Sequence, residues 1–168
     1  MTSPMPEPQL HRRSSADLDT ATLYRLLRLR VDVFVVEQAC PYPELDGRDL
    51  EPGTRHFWFA DGDAVLATLR VLEDGPGPDG RMVYRIGRVC TERAHRGRRL
   101  TARLMQAALD EIGAHTCRIE AQTYLSEMYA RFGFRADSDE YLEDGIPHVS
   151  MVRPAGTTPT PNPEVTPA

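Results

Sequence analysis

Apolar residues recur at helical spacing in the first part of the chain. One face of a helix is formed by Leu23, Leu26, Leu27, Val31 and Phe34. This spacing predicts a helix that begins after Asp19 or Thr20, either of which is a suitable N-cap, and ends near the sequence FVVEQ. The loop ACPYPELDGRDLEPG follows, and its prolines predict extended backbone over residues 39–43.

Shorter apolar runs in the middle of the chain predict strands. HFWFA and AVLATLRVL flank the turn DGD, which is typical of a β-hairpin. A second turn, EDGPGPDG, leads to RMVYRIGRVCT as a third strand. Gly87 interrupts this strand, and an interior glycine indicates a bulge or a close backbone approach.

The second half of the chain alternates between segments with helical spacing and short strand-like segments. A helix places Leu100, Leu104, Ala108 and Ile112 on one face, CRIEAQ is a short strand, and YLSEMYARF is a short helix with Leu125, Met128, Tyr129 and Phe132 together. GF and EDGIPHVSMV complete the pattern as strands. The order predicts an α+β domain with one sheet over residues 10–153. The proline-rich ends, 1–9 and 154–168, are expected to be disordered.

The composition narrows the class of protein. The chain has 168 residues, 40% hydrophobic and 27% charged, and its net charge is −5, which is ordinary for a soluble globular domain and argues against a general nucleic-acid binder. No apolar run is long enough for a membrane span, and no secretory signal is evident at the start. We therefore expect a cytoplasmic protein without membrane association. The three cysteines form no CxxC pair, which argues against a disulfide framework and against a metal site.

Five arginines lie within residues 93–103, although the rest of the chain is acidic. They follow a predicted strand and begin a predicted helix, where unpaired backbone N–H groups and the helix dipole favour an anion. Gly97 would allow a phosphate to approach the backbone, and Thr101 would add a hydroxyl. A solvated helix face is the alternative, and this window by itself does not decide between the two.

Several segments in order resemble the GNAT superfamily of acetyl-CoA-dependent N-acetyltransferases, and specifically its ElaA-type branch. The segments are FVVEQACPY, LDGRD, IGRV, RGRRLT, AQ, MYARFGF and YLEDGIPHVSM, and the resemblance covers about residues 18–153. It implies a GNAT-like, mostly antiparallel mixed sheet flanked by helices. The chain departs from the family where Arg99 and Thr101 replace glycines of the phosphate loop and where Gln122 replaces an asparagine.

The resemblance also implies where acetyl-CoA binds as a co-substrate. The strand residues Arg88, Val89, Cys90 and Thr91 would pair with the pantetheine arm, and the N–H of Val89 or Cys90 would hold the acetyl carbonyl. The pyrophosphate would lie on Arg96, Gly97, Arg98, Arg99, Leu100, Thr101 and Ala102, and Gln122 would add an amide. No metal is implied.

Acyl transfer from a thioester to an amine needs an acid for the leaving thiolate and a base for the ammonium. Tyr129 matches the family's tyrosine acid; the alternative is a core aromatic residue. His148, Glu120 and Glu37 are candidate bases, and the sequence does not choose among them.

The acceptor is expected to be a primary amine of a small molecule or of a peptide, and a homodimer is left open. Five carboxylates in residues 37–51 suit a cationic acceptor. The leading hypothesis is an N-acetyltransferase that acts by direct transfer. The alternatives are an acyl-CoA binder without turnover, suggested by Arg99 and Thr101, and a nucleic-acid binder that uses the arginines.

Overall fold

The strand-forming segments meet in one sheet. The computed structural model describes residues 6–157. The strands are β1 (Gln9–Ser14), β2 (Arg55–Asp61), β3 (Ala64–Pro76), β4 (Met82–Thr91), β5 (Cys117–Gln122), β6 (Arg135–Ala136), β7 (Tyr141–Glu143) and β8 (Ile146–Arg153). Their order across the sheet is β1-β2-β3-β4-β5-β8-β6, and β7 pairs with β8.

One strand pair is parallel and the others are antiparallel, which confirms the predicted mixed sheet. The parallel pair is β4 and β5, and its register contains only Tyr84 opposite Cys117 and Arg85 opposite Arg118. Since β4 continues to Thr91 and β5 to Gln122, the two strands run on without pairing. This gap in the middle of the sheet forms the site described below.

The first helix, α1 (Thr20–Arg30), begins where the sequence predicts. The Asp19 side chain accepts a hydrogen bond from the Thr22 amide at 2.8 Å, which is an N-cap. The helix then continues as a π-helix over Val31–Glu37. The buried face differs from the predicted one: Leu26, Leu29, Arg30 and Val33 are buried, whereas the other apolar positions are only partly covered. The wider π turn and the burial of Arg30 account for the difference.

The second helix, α2 (Leu100–Ile112), covers the main core. Its predicted apolar face is confirmed, since Leu100, Leu104, Ala108 and Ile112 are all buried against the sheet. The short helix α3 (Ser126–Ala130) has Tyr129 as its buried residue, and Leu125, Met128 and Phe132 pack partly covered against the same core.

Further details differ from the sequence expectations, among them the end of β3 at Pro76 and the position of β6 at Arg135–Ala136 rather than at GF. Strand β1 was not predicted, because QLHRRS lacks alternation; it lies at the sheet edge, pairs with β2 and stacks His11 on Trp58. Ala39 has a φ of 49°, which is left-handed rather than extended. Residues 154–157 form a turn in which the Gly156 amide donates to the Ala114 carbonyl. Of the two tails expected to be disordered, residues 1–5 and 158–168 lie outside the described part of the chain.

Candidate active site

A cleft of about 950 Å³ occupies the gap between β4 and β5. Its walls include residues 85–91 of β4, Ile119, Glu120 and Gln122 of β5, and Tyr129 of α3. The π-helix, the loop that follows it and the turn between β7 and β8 complete the lining. The cleft therefore brings together residues that are far apart in the sequence.

A bulge shapes the β4 wall of this cleft. Thr68 pairs with Cys90 and Arg70 pairs with Gly87, so that Arg88 and Val89 together oppose Leu69 of β3. The left-handed residue is Arg88, with a φ of 52°, and not the neighbouring Gly87. Gly87 thus marks the bulge, as the sequence indicated, and the extra residue changes how the following backbone meets the cleft.

The residues between β4 and α2, 92–99, form a loop at one end of the cleft, here called the arginine loop. Arg96 donates from Nε to the Thr91 carbonyl at 3.0 Å and from Nη2 to the Glu37 carboxylate at 2.5 Å. Gly97 has a φ of 80° and open space where a Cβ would stand. This loop therefore offers exposed backbone beside a fixed guanidinium.

The loop ends in a second left-handed residue. Arg99, with a φ of 61°, is the N-cap position of α2, so an arginine adopts the backbone conformation that glycine adopts most easily. The Nη1 atom of Arg98 lies 2.8 Å from Nδ1 of His95. The exposed arginines therefore surround the helix N-terminus, where the first amides have no intrahelical acceptor.

Thr101 is hydrogen-bonded to another hydroxyl of the protein. Its hydroxyl is 2.9 Å from the hydroxyl of Thr91, which joins the first turn of α2 to the end of β4. Leu100 is buried in the core, and Ala102 is partly exposed. The side chains of Thr101 and Leu100 thus hold the helix in place, and an anion would meet this turn through backbone amides.

Tyr129 projects into the cleft from α3. The residue is only 4% exposed, and its ring packs edge-on against Phe134. Within residues 6–157 its hydroxyl has no hydrogen-bond partner, although it lines the cleft. Burial raises the pKa of Tyr129 above the ordinary phenol value, so that the hydroxyl keeps its proton at neutral pH.

His148 lies on β8 and also lines the cleft. Nδ1 is 2.7 Å from the Ile146 carbonyl, so it is the protonated donor nitrogen. Nε2 is 3.8 Å from the Glu143 carboxylate, and the ring stacks on Tyr141. The imidazole is therefore fixed in orientation, with Nε2 left to accept a proton.

The other two candidate bases are engaged by neighbouring groups. Glu120 accepts hydrogen bonds from Arg85 at 2.8 Å, from Ser150 at 3.3 Å and from the Tyr141 hydroxyl. The hydrogen bond from Arg96 lowers the pKa of Glu37 below its usual value. Both carboxylates line the cleft, but their charge is already compensated.

The acidic loop does not present free charge to an acceptor, which corrects the expectation drawn from residues 37–51. Glu44 is 2.6 Å from Arg30 and 2.8 Å from Arg88. Asp49 is 2.5 Å from Arg30, and Asp46 is 2.5 Å from Arg70. The carboxylates of the loop thus fold it onto the sheet by ion pairing, with Arg30, Glu44 and Asp49 buried.

Several residues of the cleft wall are not predictable from the sequence. Gln38 accepts a hydrogen bond from Gln122 at 3.1 Å, and Tyr42 donates to Glu44. Tyr124 lines the cleft while it remains highly exposed. Gln38, Tyr42 and Tyr124 carry no sequence signal that points to the cleft. Arg30, which is buried and lies outside the cleft lining, does have a signal, because an arginine stands among the apolar positions of LLRLRVDVF.

The cysteines are all free and buried. Cys90 lies in the β4 wall, and burial raises its pKa to about 12. Cys40 donates to the Asp144 carbonyl at 3.5 Å. Among residues 6–157, no group of three His, Cys, Asp or Glu side chains is placed to hold a metal ion. No helix in the same range is long and apolar enough to cross a membrane.

Comparison with known proteins gives a consistent family assignment. A family model described as an acetyltransferase (GNAT) domain matches residues 29–154. A UPF0039 protein of Mycobacterium tuberculosis is 58% identical over 146 residues, which cover 86% of this chain and 92% of the relative.

Two solved structures are similar over most of their length. The crystal structure of an acyl-CoA N-acyltransferase from Pseudomonas aeruginosa has a TM-score of 0.77 and 41% identity, and the match covers 86% of this chain and 99% of that one. The crystal structure of Escherichia coli ElaA has a TM-score of 0.79 and 35% identity, and the match covers 88% and 99%. The match thus spans the sheet, the cleft and the arginine loop together.

Proposed function

Because the chain belongs to the GNAT acetyltransferase family, we propose that it moves an acetyl group from acetyl-CoA to a primary amine. The transfer is direct, with both substrates bound together. The observation that carries this proposal is the unpaired edge between β4 and β5, with the arginine loop at one end. Inside lies the Tyr129 hydroxyl, which has no hydrogen-bond partner among residues 6–157.

The β4 edge provides the first part of the cofactor site. An extended amide chain such as pantetheine is able to pair with an unpaired strand edge, and residues 88–91 line the cleft where β5 does not pair. We assign the N–H of Val89 or Cys90 to the acetyl carbonyl, since a donor at that oxygen stabilises the charge that develops in the transition state.

The arginine loop provides the second part. The N-terminal amides of α2 and the exposed backbone at Gly97 suit a pyrophosphate, while Arg96, Arg98 and Arg99 add positive charge. Gln122 adds an amide at the β5 wall and bonds to Gln38 in this structure. The turn between loop and helix forms with both departures from the family in place, since Arg99 adopts the left-handed conformation and Thr101 turns its hydroxyl toward Thr91.

Tyr129 acts as the general acid in this proposal. Its buried hydroxyl keeps a proton and has no competing partner among the described residues. Proton donation to the departing sulfur prevents the thiolate from attacking the new amide. The packing of Tyr129 against Phe134 fixes the direction of the hydroxyl.

His148 is the base that the contacts favour. Nδ1 is held by the Ile146 carbonyl, which leaves Nε2 as the acceptor nitrogen. Glu37 and Glu120, by contrast, already receive hydrogen bonds from Arg96 and Arg85. A carboxylate that is neutralised by arginine is a weaker proton acceptor.

The proton balance follows from these roles. His148 takes one proton from the substrate ammonium, and the neutral amine attacks the thioester carbonyl carbon. A C–N bond forms, the C–S bond breaks, and the sulfur leaves with the electron pair and takes the Tyr129 proton. The phenolate recovers the second proton of the nitrogen through solvent, and His148 returns its proton to solvent.

Mass spectrometry of acetylated products from a panel of primary amines tests the proposal, together with calorimetry of CoA binding. We expect CoA binding and an amine-dependent product. CoA binding without any product across the panel would instead favour the acyl-CoA binder without turnover. A protein that binds neither CoA nor acetyl-CoA contradicts both functions.

A further inference from the structure

Residues 37–40, here called the strap, lie at the end of the π-helix, and three of them, Glu37, Gln38 and Cys40, line the cleft. Glu37 accepts a hydrogen bond from Arg96 of the arginine loop at 2.5 Å, and Gln38 accepts one from Gln122 of β5 at 3.1 Å. Arg96 lies before α2 and Gln122 lies beyond it, so that the strap is tied to two separate elements of the cleft wall.

A third contact ties the strap to the turn between β7 and β8. The Cys40 thiol donates to the Asp144 carbonyl at 3.5 Å, and both residues line the cleft. His148, the proposed base, lies on the same β7–β8 hairpin. The strap and the hairpin therefore meet at the cleft wall, on the hairpin that carries His148.

The strap is held in shape by its own backbone. The amides of Gln38 and Cys40 donate to the carbonyls of Val33 and Val35 at 3.2 and 3.1 Å. On its far side the chain is fixed by the buried pair of Arg30 and Glu44, which are 2% and 3% exposed. A chain fastened at both ends does not move aside freely.

The hairpin is fixed in the same way. Asp144 and Gly145 are both left-handed, with φ of 49° and 78°, as a tight two-residue turn requires. Tyr141 at the start of β7 donates to Glu120 of β5 and stacks on His148. The Cys40–Asp144 contact thus joins two supported elements.

On the basis of the N-acyltransferase function proposed above, we infer that the acceptor is a small-molecule primary amine. The contact between the strap and the hairpin excludes the N-terminus of an extended polypeptide. An extended peptide needs an open groove for its backbone and for side chains on both faces of the chain. A small amine needs only its nitrogen to reach the space between His148 and Tyr129.

Competing acceptors test this inference with the intact chain. One arm contains small primary amines (alkylamines, diamines, amino sugars and amino-acid amides), and the other contains hexapeptide amides with varied first residues. The amino-acid amides and the hexapeptides offer the same α-amine and differ in chain length. We expect kcat/KM for the best small amine to exceed that of every hexapeptide by at least about 100-fold.

The outcomes separate the inference from the function on which it rests. A hexapeptide acetylated within about tenfold of the best small amine overturns the inference and leaves the acyltransferase function standing. No product in either arm overturns both. Product from small amines alone supports both.

A variant tests the contact itself. Gln38→Ala combined with Cys40→Ala removes two of the three ties, and we expect the ratio of hexapeptide to small-amine kcat/KM to rise several-fold. Cys117→Ala is the matched control, since it removes a buried thiol outside the cleft, and its ratio is expected to stay the same. An unchanged ratio in the double variant, with folding verified by circular dichroism, contradicts the role of the strap.

Discussion

The guanidinium of Arg96 donates from Nη2 to the carboxylate of Glu37 across 2.5 Å, and this bond joins the arginine loop to the strap. The same guanidinium holds the end of β4 through the Thr91 carbonyl at 3.0 Å. Glu37 thus neutralises an arginine of the loop that precedes the proposed pyrophosphate-binding turn. The pair is partly exposed, so it opens at small cost.

Glu37→Gln is expected to tighten CoA binding. The substitution removes a negative charge that competes with the phosphates for Arg96, and a partly exposed ion pair of this kind contributes roughly 0.2–1 kcal/mol. Isothermal titration calorimetry is expected to show a Kd lower by a few-fold. Asp32→Asn is the matched control, because it removes an exposed carboxylate of the same π-helix that pairs with Arg28 instead. Weaker CoA binding in Glu37→Gln would show that Glu37 supports the cofactor site.

Tyr129→Phe is expected to lower kcat by roughly 10²- to 10⁴-fold, the range for loss of a general acid. CoA affinity is expected to stay nearly the same, because the ring and its contact with Phe134 remain. Steady-state kinetics and calorimetry on the same preparation give both numbers. If turnover is unaffected, Tyr129 is a packing residue and the acid lies elsewhere.

His148→Ala is expected to reduce kcat by a similar factor, because the ammonium loses its proton acceptor. Added imidazole is expected to restore part of the rate in this variant, since it supplies a free base to the space left by the side chain. Glu120→Gln is the comparison, and we expect a smaller effect, because Glu120 is already hydrogen-bonded to Arg85 and Tyr141. If the two results are reversed, Glu120 is the base.

Asp49→Asn is expected to destabilise the fold, by at most about 3–5 kcal/mol, because it removes a buried carboxylate that Arg30 and Arg70 share and leaves only Glu44 beside Arg30 and Asp46 beside Arg70. Denaturant unfolding followed by fluorescence measures the change. Asp63→Asn is the control, since Asp63 is 87% exposed and pairs only weakly with Arg25. A loss for Asp49→Asn no greater than for Asp63→Asn would mean that the buried cluster adds nothing to stability.

The same cluster predicts how stability depends on pH. Burial would raise the pKa of Asp46 and of Asp49, but hydrogen bonds and charge from arginine outweigh it and hold both pKa values below the ordinary one. Below about pH 4 the unfolded chain therefore binds more protons than the folded protein does. The stability that these two carboxylates contribute is expected to be fully present above this pH. The free energy of unfolding is expected to fall as the pH drops further. Denaturant unfolding at a series of pH values measures this fall, and Asp49→Asn is expected to flatten it.

The elements with strong periodicity were the predictable part of the fold. The α2 face, the β2–β3 hairpin and the Asp19 cap follow from spacing and local hydrogen bonding alone. The resemblance to the GNAT family was confirmed by the family model and by the ElaA structure. Strand β1 escaped prediction because an edge strand exposed on both faces carries no alternating pattern.

The site was predictable where backbone geometry defines it. The bulge at Gly87 and the loop at Gly97 could be read from glycine positions, and the cleft contains all three candidate bases together with Tyr129. The ion-pair partners of the charged residues could not be predicted from the sequence. Glu44, Asp46 and Asp49 pair with arginines from α1, β3 and β4, and such long-range pairing depends on the assembled fold.

The buried thiol of Cys90 has a chemical consequence for a protein that handles thioesters. Its sulfur stands in the wall where the acyl group is proposed to lie, yet with a pKa raised to about 12 it remains protonated and a poor nucleophile. Under the proposed function, self-acylation of Cys90 and its mixed disulfides with free CoA would thereby be disfavoured. An acyl group bound at the proposed position could then be transferred to the amine without first reacting with the enzyme's own thiol.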